Sequence, residues 1–157
     1  MPTTLTDHLL RQVPILPEGQ PVGEAVDTIV RSQLPALPVV DERDAYVGIF
    51  GEREFMGAFF PGYLGELKSA RFLPHALDET IERRAACLLE SVGRFANREH
   101  IALGEDYSDA GLAERFLHHR VLIVPVLGRD QRVKGVVTRS DFFRELVARA
   151  TAHGDGR

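Results

Sequence analysis

The sequence contains two copies of one unit. Residues 4–60 align with residues 91–147 at a constant offset of 87 residues and without a gap, so that Pro38 falls on Pro125. A unit of about 57 residues is marginally stable alone, because so short a chain buries too little of its surface. The two copies are therefore predicted to fold together, and any ligand site is expected in two related versions.

Each copy is predicted to contain a helix, two strands and a closing helix. In the first copy, apolar residues recur from Val22 to Val30 at the spacing of an amphipathic helix. The apolar runs 37–40 and 46–50 flank a polar turn, which is typical of an antiparallel hairpin. The second copy repeats the pattern, with a helix around 112–117, strands at 121–127 and 132–138, and a helix from Ser140 to about Ala150. The prediction is a mixed α+β fold.

Each predicted hairpin carries a proline in its first strand, Pro38 in one copy and Pro125 in the other. Proline has no N–H to donate to a sheet ladder. We therefore expect both prolines at a sheet edge or at a bulge.

A stretch of roughly 30 residues, 61–90, separates the two copies and has no counterpart in the repeat. Pro61 and Pro74 break helices, and a new helix is predicted from Asp78, which can cap it. Two interpretations of this insertion stay open, a connector packed on the flank of the fold or a helix that dimerises or docks a partner. The polar residues 151–157 are predicted to form a loosely held, flexible tail.

The composition indicates a globular protein, with 44% hydrophobic residues, 27% charged residues and no apolar stretch near the roughly 20 residues that a membrane span needs. We therefore expect no membrane association. The single cysteine, Cys87, excludes an internal disulfide, and the N-terminus lacks a secretory-signal pattern, so a cytoplasmic location is expected. A net charge of −4 provides no overall attraction for nucleic acid, which we do not expect as a partner.

The residues best suited to chemistry lie where the last strand of the second copy meets its helix. A helix N-terminus presents unpaired N–H groups and the positive end of the helix dipole, which favours phosphate. Thr138 and Ser140 add hydroxyls, and Arg139 adds a fixed positive charge. The Asp141 carboxylate can accept hydrogen bonds from both hydroxyls of a ribose.

The same spacing fits a second interpretation. Thr-x-x-Asp is also a capping box, in which Thr138 and Asp141 only satisfy N–H groups of their own helix. The residue types do not decide between the two. No metal-ligating pattern occurs in the sequence, so a metal site is not expected.

Three features in combination resemble a known family. They are a duplicated β-α-β-β-α unit, an apolar-Pro-Val-apolar strand, and a Gly-apolar-apolar-Thr-x-x-Asp turn into a helix. Together they resemble a pair of cystathionine-β-synthase (CBS) domains, the Bateman module. The resemblance implies CBS domains at 4–60 and 91–150, related by pseudo-twofold symmetry and separated by a partly helical insertion.

Modules of this family hold adenosine-containing ligands of the AMP, ADP and ATP class in the cleft between their two domains. The resemblance implies that Thr138 contacts phosphate and Asp141 contacts the ribose, with Arg139 and Ser140 beside them. The residues that it places around the adenine are Ile101, Ala102 and Leu103 in one stretch and Arg120, Val121 and Leu122 in another. It implies no further cofactor.

The first copy departs from the family pattern. Gly51 stands where the phosphate-binding threonine is expected, and the longer Glu54 replaces the ribose-binding aspartate. Negative charge at Glu52 and Glu54 opposes phosphate. We expect a degenerate first site and one competent site per chain. Removing acidic repulsion by Glu54→Gln, or restoring the hydroxyl by Gly51→Thr, is expected to awaken the first site.

These observations predict a regulatory binding module whose regulated partner protein the sequence does not identify. The alternative is a structural adaptor that dimerises or docks to an enzyme and binds no small molecule. An enzyme that acts on the bound nucleotide is the third and least favoured alternative, and we do not expect one, because the sequence shows no general base or metal site. Apolar residues on the closing helices predict a homodimer in all of these cases, namely Phe55, Phe59, Phe142, Phe143 and Leu146.

Overall fold

The structure is a computed structural model that describes residues 7–60 and 76–155. The predicted helix breaks at Pro61 and Pro74, and the last two residues of the predicted tail, lie outside the described residues. The α+β prediction is confirmed. The helices and strands are β1 (Leu16–Pro17), α1 (Val22–Ser32), β2 (Ala36–Val40), β3 (Tyr46–Gly51), α2 (Glu52–Phe59), α3 (Ala76–Arg84), α4 (Val92–Phe95), β4 (Leu103–Gly104), α5 (Asp109–His118), β5 (Ile123–Leu127), β6 (Val133–Thr138) and α6 (Arg139–Asp155).

The chain divides into two compact units. The N-terminal unit is formed by residues 14–99, and the C-terminal unit is formed by residues 100–157 together with residues 1–13. Each unit contains a three-stranded sheet, in the order β1-β2-β3 or β4-β5-β6. In both sheets the first pair of strands is parallel and the second pair is antiparallel.

The backbone repeats as closely as the sequence does. Positive φ occurs among the described non-glycine residues at four positions that form two equivalent pairs, Gln33 with Arg120 and Asp44 with Gln131. The first pair follows helices α1 and α5, and the second lies in the two hairpin turns. Both hairpins also shift register at the equivalent point, one residue from the end of β2 or β5.

The prediction for the two prolines is wrong. Pro38 and Pro125 lie in β2 and β5, which are the central strands of their sheets. The sheet tolerates them because β1 and β4 are only two residues long and pair beyond the prolines. The first residues of β2 and β5 that pair with β1 and β4 are Val39 and Val126, each directly after its proline.

Each compact unit includes the first residues of the other sequence copy, which we call its leading segment. The backbone of Arg11 pairs with Val136 of β6 through N···O distances of 2.8 and 3.0 Å. At the equivalent place in the N-terminal unit, the backbone of Asn97 pairs with Ile49 of β3 at 2.8 and 3.2 Å. The compact units therefore differ from the sequence copies, because residues before 14 complete the C-terminal unit and residues 91–99 complete the N-terminal unit.

In the C-terminal unit, α5 and α6 cover one face of the sheet. The buried cluster at this contact consists of Leu112, Phe116, Val124, Val126, Val137 and Phe142. The rings of Phe116 and Phe142 lie 5.5 Å apart between their centroids, which joins the two helices. Helix α6 continues to Asp155, five residues past its predicted end near Ala150. Its last part is exposed, and Ala148, Arg149 and Ala150 are strong helix formers that sustain it.

The described part of the insertion belongs to the N-terminal unit. Helix α3 starts at Ala76, and the Arg84 guanidinium donates two hydrogen bonds to the carbonyl oxygen of Ala58, at 2.7 and 3.2 Å, which fastens α3 to α2. In this segment the side chain of Cys87 is buried, whereas those of Ile81 and Leu89 are exposed. Among the described residues, no helix is both long and apolar enough to cross a membrane.

The close approach of Arg11 to β6 requires glycine at position 135. A Cβ atom there would lie 2.5 Å from the Arg11 carbonyl oxygen, well inside van der Waals contact. We predict that Gly135→Ala lowers the free energy of unfolding by about 1–3 kcal/mol, the usual cost of overpacking. Gly57→Ala is the control, because Gly57 lies in α2 with no atom within 4 Å of an added Cβ, and should be neutral or stabilising. Urea denaturation of both variants checks this, and equal stabilities would contradict it.

Candidate functional site

The junction of β6 and α6 holds the predicted phosphate and ribose residues on one turn of backbone. Thr138 is the last residue of β6 and is buried, and its hydroxyl oxygen accepts a hydrogen bond from the N–H of Asp141 at 3.1 Å. The N–H of Arg139 donates to the carbonyl oxygen of Leu122 at 2.9 Å. Two of the first three N–H groups of α6 thus have partners within the chain. The capping interpretation is confirmed for Thr138.

The Asp141 carboxylate has a different partner from the one that a capping box provides. Arg11 donates to both of its oxygens, from Nε to Oδ2 at 2.6 Å and from Nη2 to Oδ1 at 2.8 Å. The carboxylate is 14% exposed and the guanidinium is 48% exposed. Burial acts to raise the pKa of Asp141, but hydrogen bonds from Arg11 and Thr138 and the charges of Arg11 and Arg144 outweigh it and hold this pKa below its ordinary value.

The stretch 120–122 lies beside this junction. Ile123, the next residue, pairs with Thr138 across the sheet, and the Leu122 carbonyl binds the first N–H of α6. Arg120 is exposed and has φ of 50°, a left-handed conformation shared with its equivalent Gln33. Arg139 and Ser140 are exposed on the first turn of α6.

The stretch 101–103 is attached to the same strand. Leu103 pairs with Val126 of β5, and Ile101 and Ala102 are half-buried. Just before them, the Nε2 of His100 donates to the carbonyl oxygen of Ile123 at 2.9 Å. Burial lowers the pKa of His100, and this hydrogen bond acts in the opposite direction.

Sequence reasoning missed Arg11 and His100. Arg11 lies 130 residues from Asp141 in the chain, so no local pattern could connect them. His100 precedes the predicted adenine stretch directly, and its adjacency to Ile101 was the one available signal.

The equivalent junction in the N-terminal unit keeps the same backbone hydrogen bond and has glycine, Gly51, at its turn. The N–H of Glu52 donates to the Pro35 carbonyl at 2.9 Å, as Arg139 does to Leu122. A Cβ at Gly51 would lie 2.1 Å from that same Pro35 oxygen. The expectation that Gly51→Thr restores a site is therefore wrong, because the backbone leaves no room for any side chain at this position.

Glu54 also differs from its equivalent, Asp141. It is half-buried, and burial raises its pKa against the opposing effects of backbone hydrogen bonds and the Arg53 charge. Arg98 aligns with Arg11 in the sequence repeat, but Asn97 takes the place of Arg11 in the backbone pairing. Arg98 donates to a Glu18 carboxylate oxygen at 3.3 Å and to the Gly93 carbonyl at 3.1 Å. The two junctions thus have the same backbone hydrogen bond and differ in the contacts of their charged side chains.

A cavity of about 650 Å³ lies between α1 and α2 in the N-terminal unit. Its lining is mainly apolar and reaches the degenerate junction, and the residues are Val26, Ile29, Val30, Gln33, Leu34, Pro35, Gly51, Glu52, Phe55 and Met56. The cavity is therefore separate from the junction that carries Thr138.

The cap at Thr138 predicts a measurable contribution to stability. Thr138→Val keeps the side-chain volume but leaves the N–H of Asp141 without its acceptor, so we expect the free energy of unfolding to fall by about 0.5–2 kcal/mol. Ser140→Ala removes an exposed hydroxyl two residues away and should change it by less than about 0.5 kcal/mol. Equal denaturation midpoints for Thr138→Val and the unmodified protein would show that the cap is not stabilising.

Comparison with known proteins gives a family match over most of the chain. The model of the CBS domain family matches twice, at residues 6–60 and 92–148. Among curated proteins, the 5'-AMP-activated protein kinase subunit gamma-3 of Bos taurus is 26% identical over 137 residues, which are 87% of this chain and 24% of the relative. The chain thus spans about a quarter of the length of that relative.

Solved structures share the fold. CBSX2 in complex with AMP superposes with a TM-score of 0.67 at 17% identity, covering 92% of this chain and 96% of that one. CbpB in complex with c-di-AMP superposes with a TM-score of 0.64 at 14% identity, covering 96% of this chain and 89% of that one. At these identities the likeness establishes the fold alone.

Proposed function

The chain belongs to the CBS domain family, and from that premise we propose that it is a regulatory module that binds an adenosine-containing nucleotide at the junction of β6 and α6. The observation that carries the proposal is that one short turn brings together a hydroxyl, a carboxylate and the start of a long helix, at Thr138, Asp141 and Arg139. Phosphate suits the helix start and the arginine, and ribose hydroxyls suit the carboxylate.

The relatives support this ligand class. CBSX2 is named as a complex with AMP, CbpB as a complex with c-di-AMP, and the kinase subunit as part of an AMP-activated enzyme. All three names share an adenine nucleotide. We propose binding rather than catalysis for this chain, with nucleotide occupancy acting on a partner protein through its different affinity for two states of the module.

We propose that one of the two junctions is competent. Thr138 and Asp141 keep the hydroxyl and carboxylate, whereas Gly51 has no side chain and Glu54 is half-buried with a raised pKa. The proposed adenine contacts are residues 101–103 and 120–122. Leu103 pairs with β5, and residues 120–122 directly precede β5, where the Leu122 carbonyl binds the N–H of Arg139.

The ribose contact is tested by Asp141→Asn with two nucleotides, AMP and 2′,3′-dideoxy-AMP. Hydrogen bonds to a charged group are worth about 1.5–3 kcal/mol each, and Asp141→Asn replaces the carboxylate that would accept them with a neutral amide that has one acceptor oxygen. We predict that Asp141→Asn weakens AMP at least about tenfold in calorimetry and leaves the dideoxy nucleotide nearly unchanged.

Two controls separate this result from a folding defect. Glu54→Gln changes the equivalent position in the N-terminal unit and should leave the AMP affinity of the junction of β6 and α6 unchanged. Urea denaturation reports the stability of both variants. AMP affinity that is equal in Asp141→Asn and the unmodified protein would refute the ribose contact, and no binding of any adenine nucleotide would favour the adaptor function.

We also propose a homodimer that forms through the outer faces of the helices. Two pairs of equivalent residues are apolar and exposed in both units: Val30 (69%) with Leu117 (75%), and Met56 (53%) with Phe143 (63%). Such a repeated patch fits a second copy of the chain, because symmetric interfaces need matching surfaces. Of the residues expected to form the interface, Phe59 and Phe142 are instead buried in their own units.

The charges beside these patches favour one pairing. Glu52 and Arg139 occupy equivalent positions at the starts of α2 and α6, and both are exposed. Contact between two N-terminal units would bring like charges together, as would contact between two C-terminal units. Contact of the N-terminal unit of one copy with the C-terminal unit of its partner places opposite charges together.

We predict that Phe143→Glu converts the dimer to a monomer in sedimentation at micromolar concentration, because it places a charge in an apolar interface. Leu89→Glu is the control, since Leu89 is 83% exposed and lies outside the repeated patch. A 17.5 kDa species for the unmodified protein under the same conditions would rule out the dimer.

A further inference from the structure

The carboxylate proposed to bind ribose is already occupied by the chain itself. Arg11 donates to Oδ2 of Asp141 at 2.6 Å and to Oδ1 at 2.8 Å. The carboxylate is only 14% exposed, so little of it is accessible to another donor.

A ribose would have to reach the same two carboxylate oxygens that Arg11 contacts. An ionised carboxylate offers about four lone-pair positions, and Arg11 occupies one on each oxygen of Asp141. The 2′ and 3′ hydroxyls of a ribose require two positions. Because the carboxylate is only 14% exposed beside the guanidinium, we expect the two hydroxyls to displace Arg11 from at least one oxygen when they bind.

We propose that Arg11 is a latch that competes with the ribose for Asp141, so that nucleotide binding releases the Arg11 side chain. The proposal rests on the function proposed above and adds a regulation of that same site. Arg11 is a specificity-determining residue in this scheme, because it raises the cost of binding for ligands that carry both ribose hydroxyls and not for ligands that lack them.

The latch connects the site to the N-terminal segment, which we define as residues 7–13. Arg11 pairs with Val136 through its backbone, the Gln12 side chain donates to the Lys134 carbonyl at 2.7 Å, and Nε2 of His8 lies 3.1 Å from a Glu145 carboxylate oxygen. The Arg11 side chain is the bidentate contact among these. Its release weakens the attachment of the segment to β6 and α6, and by reciprocity a partner that pulls the segment away strengthens nucleotide binding.

The other copy lacks this latch and supplies the matched control. The arginine that aligns with Arg11 in the sequence repeat, Arg98, donates to Glu18 and to the Gly93 carbonyl, while Glu54 occupies the equivalent position of Asp141. Replacing Arg98 removes the same charge from the protein without touching the proposed site. Arg11→Gln and Arg98→Gln are therefore compared.

Calorimetry with AMP and 2′,3′-dideoxy-AMP tests the competition. We expect Arg11→Gln to bind AMP about 2- to 5-fold more tightly than the unmodified protein, as loss of a competing ion pair predicts. Its affinity for the dideoxy nucleotide should be unchanged, and Arg98→Gln should match the unmodified protein with both ligands.

Hydrogen exchange provides a second readout that does not depend on affinity. Saturation of the unmodified protein with AMP should speed exchange at the amides of Arg11 and Val136, which bond each other's carbonyls. In Arg11→Gln these amides should already exchange faster, and AMP should add little.

The outcomes distinguish the two proposals. Equal or weaker AMP binding by Arg11→Gln, while the unmodified protein binds AMP, overturns the latch and leaves the proposed function standing. If neither the unmodified protein nor Arg11→Gln binds any adenine nucleotide, the proposed function fails and the latch fails with it.

Discussion

The structure depends on one backbone contact that occurs twice, where a leading segment lies against the outer strand of a hairpin. Arg11 pairs with Val136, and Asn97 pairs with Ile49. Both contacts require glycine next to the paired residue, at Gly135 and Gly48, because a Cβ would overlap a carbonyl oxygen. This contact covers the outer edge of each hairpin, which would otherwise expose unpaired backbone groups. In the C-terminal unit it also brings the Arg11 side chain to Asp141.

Much of the fold could be predicted because its signals are local. The offset of 87 residues gave the repeat, and helical and hairpin patterns gave the elements of each copy. The Thr138 cap was also readable, since donor and acceptor lie three residues apart. The central position of Pro38 and Pro125 in their sheets could not be predicted. It depends on the short strands β1 and β4, which come from elsewhere in the chain and pair with β2 and β5.

The charged contacts of the site could not be predicted for the same reason. The partner of Asp141 lies 130 residues away and reaches it only through the exchange of leading segments. The repeat even suggested a false symmetry, because Arg98 aligns with Arg11 in the sequence, whereas Asn97 takes the place of Arg11 in the backbone pairing and Arg98 binds Glu18. Position 51 illustrates a further limit. Its glycine looked like a lost hydroxyl, whereas the nearby Pro35 carbonyl shows that it is a steric requirement.

The two copies have diverged mainly in side chains on a conserved backbone. One junction keeps a hydroxyl and a carboxylate, while the other combines Gly51 with Glu54 beside an apolar cavity. The opposite charges of Glu52 and Arg139 follow the same division. A duplicated unit can in this way assign ligand binding to one copy while both copies contribute to an interface.

The central claim is that an adenosine nucleotide binds at one junction per chain, and backbone amide resonances of the ¹⁵N-labelled protein during addition of AMP test it most directly. The account predicts saturable shifts at residues 138–141 and at Arg11, complete near one AMP per chain, with residues 51–54 unchanged. Equal shifts at 51–54, or none at 138–141, would contradict it.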